Sequence, residues 1–222
     1  MNILAINTAF TNIGVSLMKN NELAGNYYSV CKKRGEQVVF HVLDDLLSNA
    51  QMQLEQIDCF VVVQGPGSYT GLRIGMAVAK TLAQVHQRPV IGITSIELLA
   101  SMTSPLQVPF YVLLNCTRTE VFYAQFRFEG LKTVQLSEIR LSTLESLWEQ
   151  IQGHAVVYKQ VAAPSSASTP LLEKLKCQPF HYPIADAFPL LELGRERFAA
   201  CNGKFPNVLP IYLKKDVVGR SE

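Results

Sequence analysis

The feature that most constrains the fold is the apolar run CFVVV at residues 59–63. Continuous apolar and β-branched residues suit a strand that is buried on both faces, as in a parallel sheet covered by helices. The chain opens differently, because its first apolar runs, at 3–8, 14–18 and 22–30, are separated by turns so short that only antiparallel neighbours fit. A meander joined to a buried parallel strand predicts one mixed sheet.

Helical patterns alternate with the later strands. Apolar residues recur every three or four positions from Glu36 to Met52, and further helices are predicted at 69–86 and 96–102, with a strand at 89–93 between them. The order β-β-β-α-β-α-β-α is typical of the acetate-kinase, sugar-kinase, Hsp70 and actin superfamily. We therefore expect an α/β protein of the actin-like ATPase and ribonuclease H-like (ASKHA) class, with a mixed five-stranded sheet and two lobes.

A break at Thr103-Ser104-Pro105 separates the predicted lobes. We expect an N-terminal lobe over 1–104, completed by a C-terminal helix at 187–201, a smaller lobe over 105–186 and a tail over 202–222. The smaller lobe is predicted to contain, in order, strands at 110–115 and 121–128, a helix at 141–152, a strand at 155–158 and a surface loop at 163–170.

Composition excludes several classes of function. The 222 residues are 48% hydrophobic, which is typical of a globular protein, and 20 basic against 18 acidic residues give a net charge of +2. That charge is too small to hold a nucleic acid unaided. The start has no basic region before its apolar run, and no apolar run reaches membrane-spanning length. A cytoplasmic protein is expected.

The potential metal ligands are scattered along the chain. The cysteines form no C-x-x-C pair, and no two histidines stand four residues apart. Structural metal sites and redox dithiols need such spacings, so we expect reduced, mostly buried thiols and no metal site. The residues concerned are Cys31, Cys59, Cys116, Cys177, Cys201, His41, His86, His154 and His181.

The segment GPGSYTGLRIG at 65–75 follows the buried strand and opens a helix. One interpretation is a structural loop in which glycines adopt unusual backbone angles and Ser68 or Thr70 caps the helix. The other is an anion or nucleotide site at a helix start. The letters match neither a Walker A loop nor a dinucleotide fingerprint, which favours the first interpretation. The structural residues would be Gly65, Pro66, Gly67, Gly71 and Gly75, and the anion ligands Gly65, Gly67, Ser68 and Thr70.

The helix after this segment has an apolar arc of about 200°, wider than packing on one sheet requires. Small residues recur every fourth position, at Gly71, Gly75, Ala79 and Ala83, and allow another helix to approach closely. Two interpretations stay open. The helix is either wedged between layers of its own domain, or it forms with the first helix an exposed pair that meets a partner.

Several segments resemble one family. The stretch at 65–75 is similar to the signature of the TsaB (YeaZ) family, as are ILAINT at 3–8, VIGITSIE at 90–97, NCTRTEV at 115–121 and PIYL at 210–213. The chain departs from the family pattern where Asn7 and Asn115 replace aspartates, Ala9 replaces a serine, and Gly35-Glu36-Gln37 stands in place of His-Ser-Glu.

The resemblance implies a non-catalytic subunit of the machinery that forms N6-threonylcarbamoyladenosine at position 37 of tRNAs reading ANN codons. It would bind and activate the transferase TsaD, help recruit the ATPase TsaE, form a homodimer when alone, contact tRNA only through the complex, and need no cofactor. Met76 is expected to face outward in the partner interface. The predicted interface residues are Val39, Val42, Leu43, Leu46, Leu72, Met76, Ala79 and Ala83.

A rival interpretation is a stand-alone ATP-binding phosphotransferase or hydrolase of the actin-like superfamily. Asn7 weakens it, because an amide can neither act as a base nor neutralise a magnesium ion. A glycoprotease (M22-like) activity is the least favoured. Ser68 lies in GSYTG, which is not the nucleophile motif G-x-S-x-G, and no base accompanies it.

Overall fold

The computed structural model describes residues 1–10, 12–29, 35–117, 119–159 and 186–213, with side chains described except at 35–37, 158 and 159. These residues divide into two units. The first holds residues 1–98 and 186–210, and the second holds residues 99–159 and 211–213. The predicted loop at 163–170 lies outside the described residues, as do Cys31, Cys177 and His181.

The first unit is built on a mixed sheet of five strands. Its order is β3-β2-β1-β4-β5, with β1 antiparallel to β2 and parallel to β4. The antiparallel meander follows from the short turns, and β5 continues the parallel half beside β4. The predicted mixed five-stranded sheet is therefore confirmed. The strands are β1 (Ile3–Asn7), β2 (Ile13–Lys19), β3 (Glu22–Ser29), β4 (Cys59–Gly65) and β5 (Val90–Thr94).

Helices cover both faces of this sheet. On one face, α1 packs on β2 and β3 and α2 packs mainly on β4. On the other face, α5 packs across β1, β2, β4 and β5, and Gly194 lies directly against Val61. The buried side chains of β4 therefore pack against helices on both faces of the sheet, as the continuous apolar run predicted. The helices that pack on the sheet are α1 (Gly35–Asn49), α2 (Tyr69–Val85) and α5 (Phe188–Ala200). A 3₁₀ turn at Leu54–Gln56 precedes β4, and α3 (Ser95–Ser101) follows β5.

The core beneath α1 and α2 is continuous across the sheet. Alternate residues of β1 and β4, including Ile6, Phe60 and Val62, join apolar residues of both helices in one buried cluster. Each large side chain buried there contributes about 1.5–3 kcal/mol. This cluster holds α1 and α2 side by side on the sheet.

The second unit contains a sheet in the order β10-β6-β7-β8, with β9 also paired to β7. Helix α4 covers one face, where Leu147 and Ile151 join a buried cluster. Sequence predicted neither β8 nor β9. Among the described residues, no helix of either unit is both long and apolar enough to cross a membrane. The elements are β6 (Phe110–Asn115), β7 (Glu120–Glu129), β8 (Lys132–Gln135), β9 (Arg140–Thr143), α4 (Leu144–Ile151) and β10 (Ala155–Lys159).

The helix predicted at 141–152 begins later than expected. Residues 141–143 belong to β9, where Leu141 lies opposite Phe122 of β7. Thr143 then caps α4, because its hydroxyl accepts the Ser146 N–H at 3.1 Å. Pairing with β7 overrides the helical period of the preceding residues.

Candidate functional site

The loop that joins β4 to α2 is held by hydrogen bonds to the end of β1. Ser68 caps α2, since its Oγ accepts the Gly71 N–H at 3.2 Å. The Ser68 N–H donates to the Ala9 carbonyl at 2.7 Å. Gly65 adopts a φ of 112°, which favours glycine. Of the two predicted caps, Ser68 is the one used.

Helix α2 also contacts β1 at unusually short range. The Thr8 hydroxyl donates to the Gly71 carbonyl at 2.7 Å. A Cβ on Gly71 would lie 1.9 Å from the Thr8 carbonyl oxygen, and one on Gly75 would lie 2.3 Å from Thr8 Oγ1. Both glycines are therefore required for close approach, which supports the structural interpretation of the loop. Thr8 was missed as a partner of these glycines because nothing in its local sequence marks the contact.

The predicted anion site remains a prediction, and the loop geometry reduces the number of backbone N–H groups that could bind an anion there. The Ser68 N–H points to the Ala9 carbonyl and the Gly71 N–H to the Ser68 hydroxyl. These two donors are therefore already used within the chain. Thr70 is exposed at the first turn of α2.

The two asparagines that replace the family's aspartates are used within turns. Asn7 is fully buried, and its Oδ1 accepts the Ala9 N–H at 3.3 Å. In the second unit, the Asn115 Nδ2 donates to the Thr117 carbonyl. Each amide stabilises the turn that follows its strand, a task that short polar side chains commonly perform.

The eight predicted interface residues do not form an exposed surface. Seven of them are buried within the chain, and Leu46 is partly buried against the same core. Met76, expected to face outward, is only 4% exposed and belongs to the core beneath α1 and α2. That expectation was wrong, because the apolar arc of α2 is packed into one core cluster with residues of the sheet and of α1.

The outer sides of α1 and α2 expose a different set of residues. On α1 the exposed positions recur at 40/41, 44/45 and 48/49, and on α2 at 69/70, 73, 77, 81 and 84/85. These spacings place each set on one helical face. We call the central exposed residues the helix-pair face: Phe40, Asp44, Arg73, Ala77 and Thr81.

The helix-pair face combines an apolar side chain, small residues and charges of both signs. Phe40 is 47% exposed and is the large apolar residue of this face. Ala77 and Thr81, one turn apart, leave room for a second helix to approach. The Arg73 guanidinium lies 5.3 Å from the Tyr69 ring centroid and donates to the Tyr69 hydroxyl at 2.9 Å. The sequence signal for this face is the pair of small residues, Ala77 and Thr81, on the polar side of the helix that also carries Arg73.

The three cysteines that the structure describes carry free thiols. Cys59 is buried, and Cys116 and Cys201 are partly buried, all without disulfides. Burial raises the pKa of the Cys59 thiol from 9.0 to about 12, and the neighbouring Asp58 carboxylate adds to the rise. Within the part of the chain that the structure describes, no group of three or more His, Cys, Asp or Glu side chains could hold a metal ion.

Comparison with protein families gives one match. The model of the family described as "TsaD: tRNA N6-adenosine threonylcarbamoyltransferase" matches residues 25–171, well over half of the chain. The match includes α1, the glycine loop and α2, which carry the helix-pair face.

Curated relatives carry a related name. Proteins called tRNA threonylcarbamoyladenosine biosynthesis protein TsaB are 30% identical over 130 residues in Bacillus subtilis and 32% identical over 129 residues in Escherichia coli. These matches cover 59% and 57% of this chain, and only 57% and 55% of the relatives, so the chain spans little more than half of their length. The TsaB of Buchnera aphidicola subsp. Schizaphis graminum is 30% identical over 162 residues, 66% of this chain and 75% of that protein.

Solved structures from Pseudomonas aeruginosa share the fold. An uncharacterised protein with similarity to peptidase YEAZ superposes with a TM-score of 0.77 at 21% identity, and YeaZ itself with 0.74 at 22% identity. Both comparisons cover 96% of this chain and 99% of the other. The fold and the sequence matches agree, and the chain belongs to the TsaB (YeaZ) family, within the wider family that the TsaD description names.

Proposed function

We propose that this chain is a non-catalytic subunit of the machinery that forms N6-threonylcarbamoyladenosine at position 37 of tRNAs reading ANN codons. It pairs with the transferase TsaD, holds that enzyme in an active arrangement and helps to complete a surface for the ATPase TsaE. Membership of the TsaB family supports the pathway, since curated relatives are named for this modification.

The observation that carries the proposal is the helix-pair face. The apolar arc of α2 is buried inside the chain, and the outer side of this helix carries small exposed residues. Ala77 and Thr81 offer a partner helix the short interaxial distance that small side chains permit. Phe40 provides an aromatic side chain of the kind that dominates the energetics of interfaces.

The same face suits both a TsaD partner and a second copy of this chain. A twofold interface uses one patch twice, so self-pairing requires each charge to meet its opposite across the axis. The face carries one charge of each sign for such a pairing, Asp44 on α1 and Arg73 on α2. We propose that the homodimer forms when TsaD is absent and that TsaD displaces the second copy.

Two features favour the role of a non-catalytic subunit over that of an enzyme acting alone. The Asn7 amide, where an actin-like kinase would use a carboxylate, is buried and accepts the Ala9 N–H. The glycine loop spends its Ser68 and Gly71 N–H groups on contacts inside the chain. Contact with tRNA is proposed to occur through the complex, because a net charge of +2 gives weak attraction to phosphates.

The test is a reconstitution with purified TsaD, TsaE, threonylcarbamoyl-adenylate and an unmodified tRNA transcript that reads an ANN codon. We expect modified adenosine when this chain is present and a loss of at least tenfold when it is left out. This chain alone should neither modify the transcript nor turn over ATP. Full modification without it, or ATP turnover by the lone chain, would contradict the proposal.

A further inference from the structure

The residues after α5 form a short, irregular segment that folds back on the first unit. Helix α5 ends at Ala200, and the turn that follows has positive φ at Asn202 (46°) and Gly203 (78°). The Lys204 N–H closes this turn on the Cys201 carbonyl at 2.8 Å. We call the next residues, 204–210, the C-terminal strap. They contain no helix or strand.

Three contacts hold the strap. The Phe205 ring lies 5.1 Å from that of Phe198 on α5. The Asn207 Oδ1 accepts from Lys80 Nζ of α2 at 3.2 Å, on an exposed part of the surface. Val208 is 5% exposed and joins the core beneath α1 and α2.

Most of the strap is exposed to solvent. Of residues 202–210, all of which the structure describes, Val208 alone is buried, and the next residue, Leu209, is 60% exposed. Exposed polar contacts contribute little to stability, whereas a buried valine contributes substantially. Val208 is therefore the main anchor of the strap.

The strap lies against an edge strand. β5 ends the order of the first sheet, and the Phe60 N–H of β4 bonds to the Pro89 carbonyl at 3.0 Å. In a parallel pair, alternate residues of a strand hydrogen-bond to its neighbour. Because Pro89 bonds to β4, the N–H and C=O groups of Val90 and Gly92 point away from β4, towards the open edge. Arg197 Nη1 of α5 donates a hydrogen bond of 2.8 Å to the Gly92 carbonyl on this edge. A Cβ on Gly92 would lie 2.7 Å from Val208 Cγ1, so the strap anchor lies directly on the edge.

A cavity of about 250 Å³, partly open to solvent, lies beside the strap and along the β5 edge. Val208 is in contact with the sheet at one side of this cavity, whereas its strap neighbours Pro206 and Asn207 are exposed. The cavity is lined by residues from β4, β5, α5 and the strap, including Gln64, Gly92, Arg197, Cys201, Pro206 and Val208.

We propose that the strap is a latch. It opens locally about the Cys201–Lys204 turn when Val208 leaves the core, while the sheet and α5 stay folded. Opening uncovers the part of the β5 edge that Val208 contacts and widens the cavity. A segment with one buried anchor, exposed neighbours and a solvent-open cavity beside it belongs to the part of a protein that opens with low free energy.

Cys201 provides a probe, because its side chain is partly buried and lines the cavity beside the strap. The experiment measures the alkylation rate of each cysteine by peptide mass spectrometry in the wild type, in Val208→Ser, and in the control Leu209→Ser. We expect Val208→Ser to raise the rate at Cys201 by about tenfold or more. The control should leave that rate unchanged, and the rates at Cys116 and the buried Cys59 should not change in either variant.

Two results would overturn the latch. Equal rates at Cys201 in the wild type and in Val208→Ser would show that Val208 does not hold the strap. A parallel rise at Cys59, with a broad loss of hydrogen-exchange protection in β4, would show that the strap unfolds only together with the core.

Discussion

The hydroxyl of Thr8, at the end of β1, donates a hydrogen bond of 2.7 Å to the carbonyl of Gly71 in the first turn of α2. The contact forms because Gly71 has no Cβ, which would otherwise lie 1.9 Å from the Thr8 carbonyl oxygen. The glycine loop therefore fixes the position of α2 on the sheet. The placement of the helix-pair face depends on that position.

Gly71→Ala should destabilise the first unit. The obstacle is backbone, so β1 or α2 must move, and overpacking of this kind typically costs about 1–3 kcal/mol. Alanine returns at most about 1 kcal/mol through its higher helix propensity. We expect a net loss of about 2 kcal/mol in the free energy of unfolding, measured by denaturant titration.

The control for this variant is Thr81→Ala, an exposed substitution on the same helix. It removes no buried contact and should change the free energy of unfolding by less than about 0.5 kcal/mol. A Gly71→Ala protein as stable as this control would refute the close-approach account of the loop.

Glu97 should matter more than an ordinary surface carboxylate. It accepts the Thr94 N–H at 2.9 Å and the Thr94 hydroxyl at 2.8 Å, and it pairs with Arg197 of α5. Glu97→Ala removes the capping box of α3 and leaves Arg197 without its carboxylate, so we expect a loss of about 1–2 kcal/mol. Thermal unfolding of Glu192→Ala, which breaks the exposed pair with Arg195, gives the comparison. That loss should be about 0.5 kcal/mol or less, and equal losses would contradict the prediction.

Stability at alkaline pH should depend on Cys59. The folded-state pKa, at about 12, lies above the ordinary value of 9.0, so the unfolded chain loses this proton first. The protonated Cys59 thiol therefore makes its full contribution to the free energy of unfolding below pH 9. This contribution is lost as pH rises towards 12, at up to about 1.4 kcal/mol per pH unit. Unfolding free energies measured from pH 8 to 11 should converge between the wild type and Cys59→Ala as pH rises. Parallel curves would show that the thiol titrates normally.

Sequence predicted the architecture of the first unit well. The run at 59–63 and the short early turns are local signals for a buried parallel strand and an antiparallel meander, and both appear in the sheet. The sequence also predicted the start of α2 at the glycine loop, because serine is a favoured N-cap residue and Ser68 occupies that position. The contact with Thr8 was not readable, since it joins residues 63 positions apart.

The orientation of α2 could not be predicted from its period. An apolar arc shows that much of a helix is covered but not by which elements. The arc that contains Met76 is packed in one core cluster with the sheet and α1, and not against a partner. The start of α4 was missed for a similar reason. Leu141 fits a helical period, but its pairing opposite Phe122 makes it a strand residue.

The central claim is that the helix-pair face binds TsaD, and sedimentation velocity of this chain mixed with TsaD of the same organism tests it most directly. Met76→Arg is unsuitable, because it would place a charge in the core. Ala77→Arg places the charge on the exposed face, and Ala199→Arg on the exposed side of α5 is the matched control. We predict a one-to-one complex for the wild type and for Ala199→Arg, and binding weakened more than about a hundredfold for folded Ala77→Arg, since the charge would be buried unpaired. A complex of undiminished affinity with folded Ala77→Arg would contradict the account.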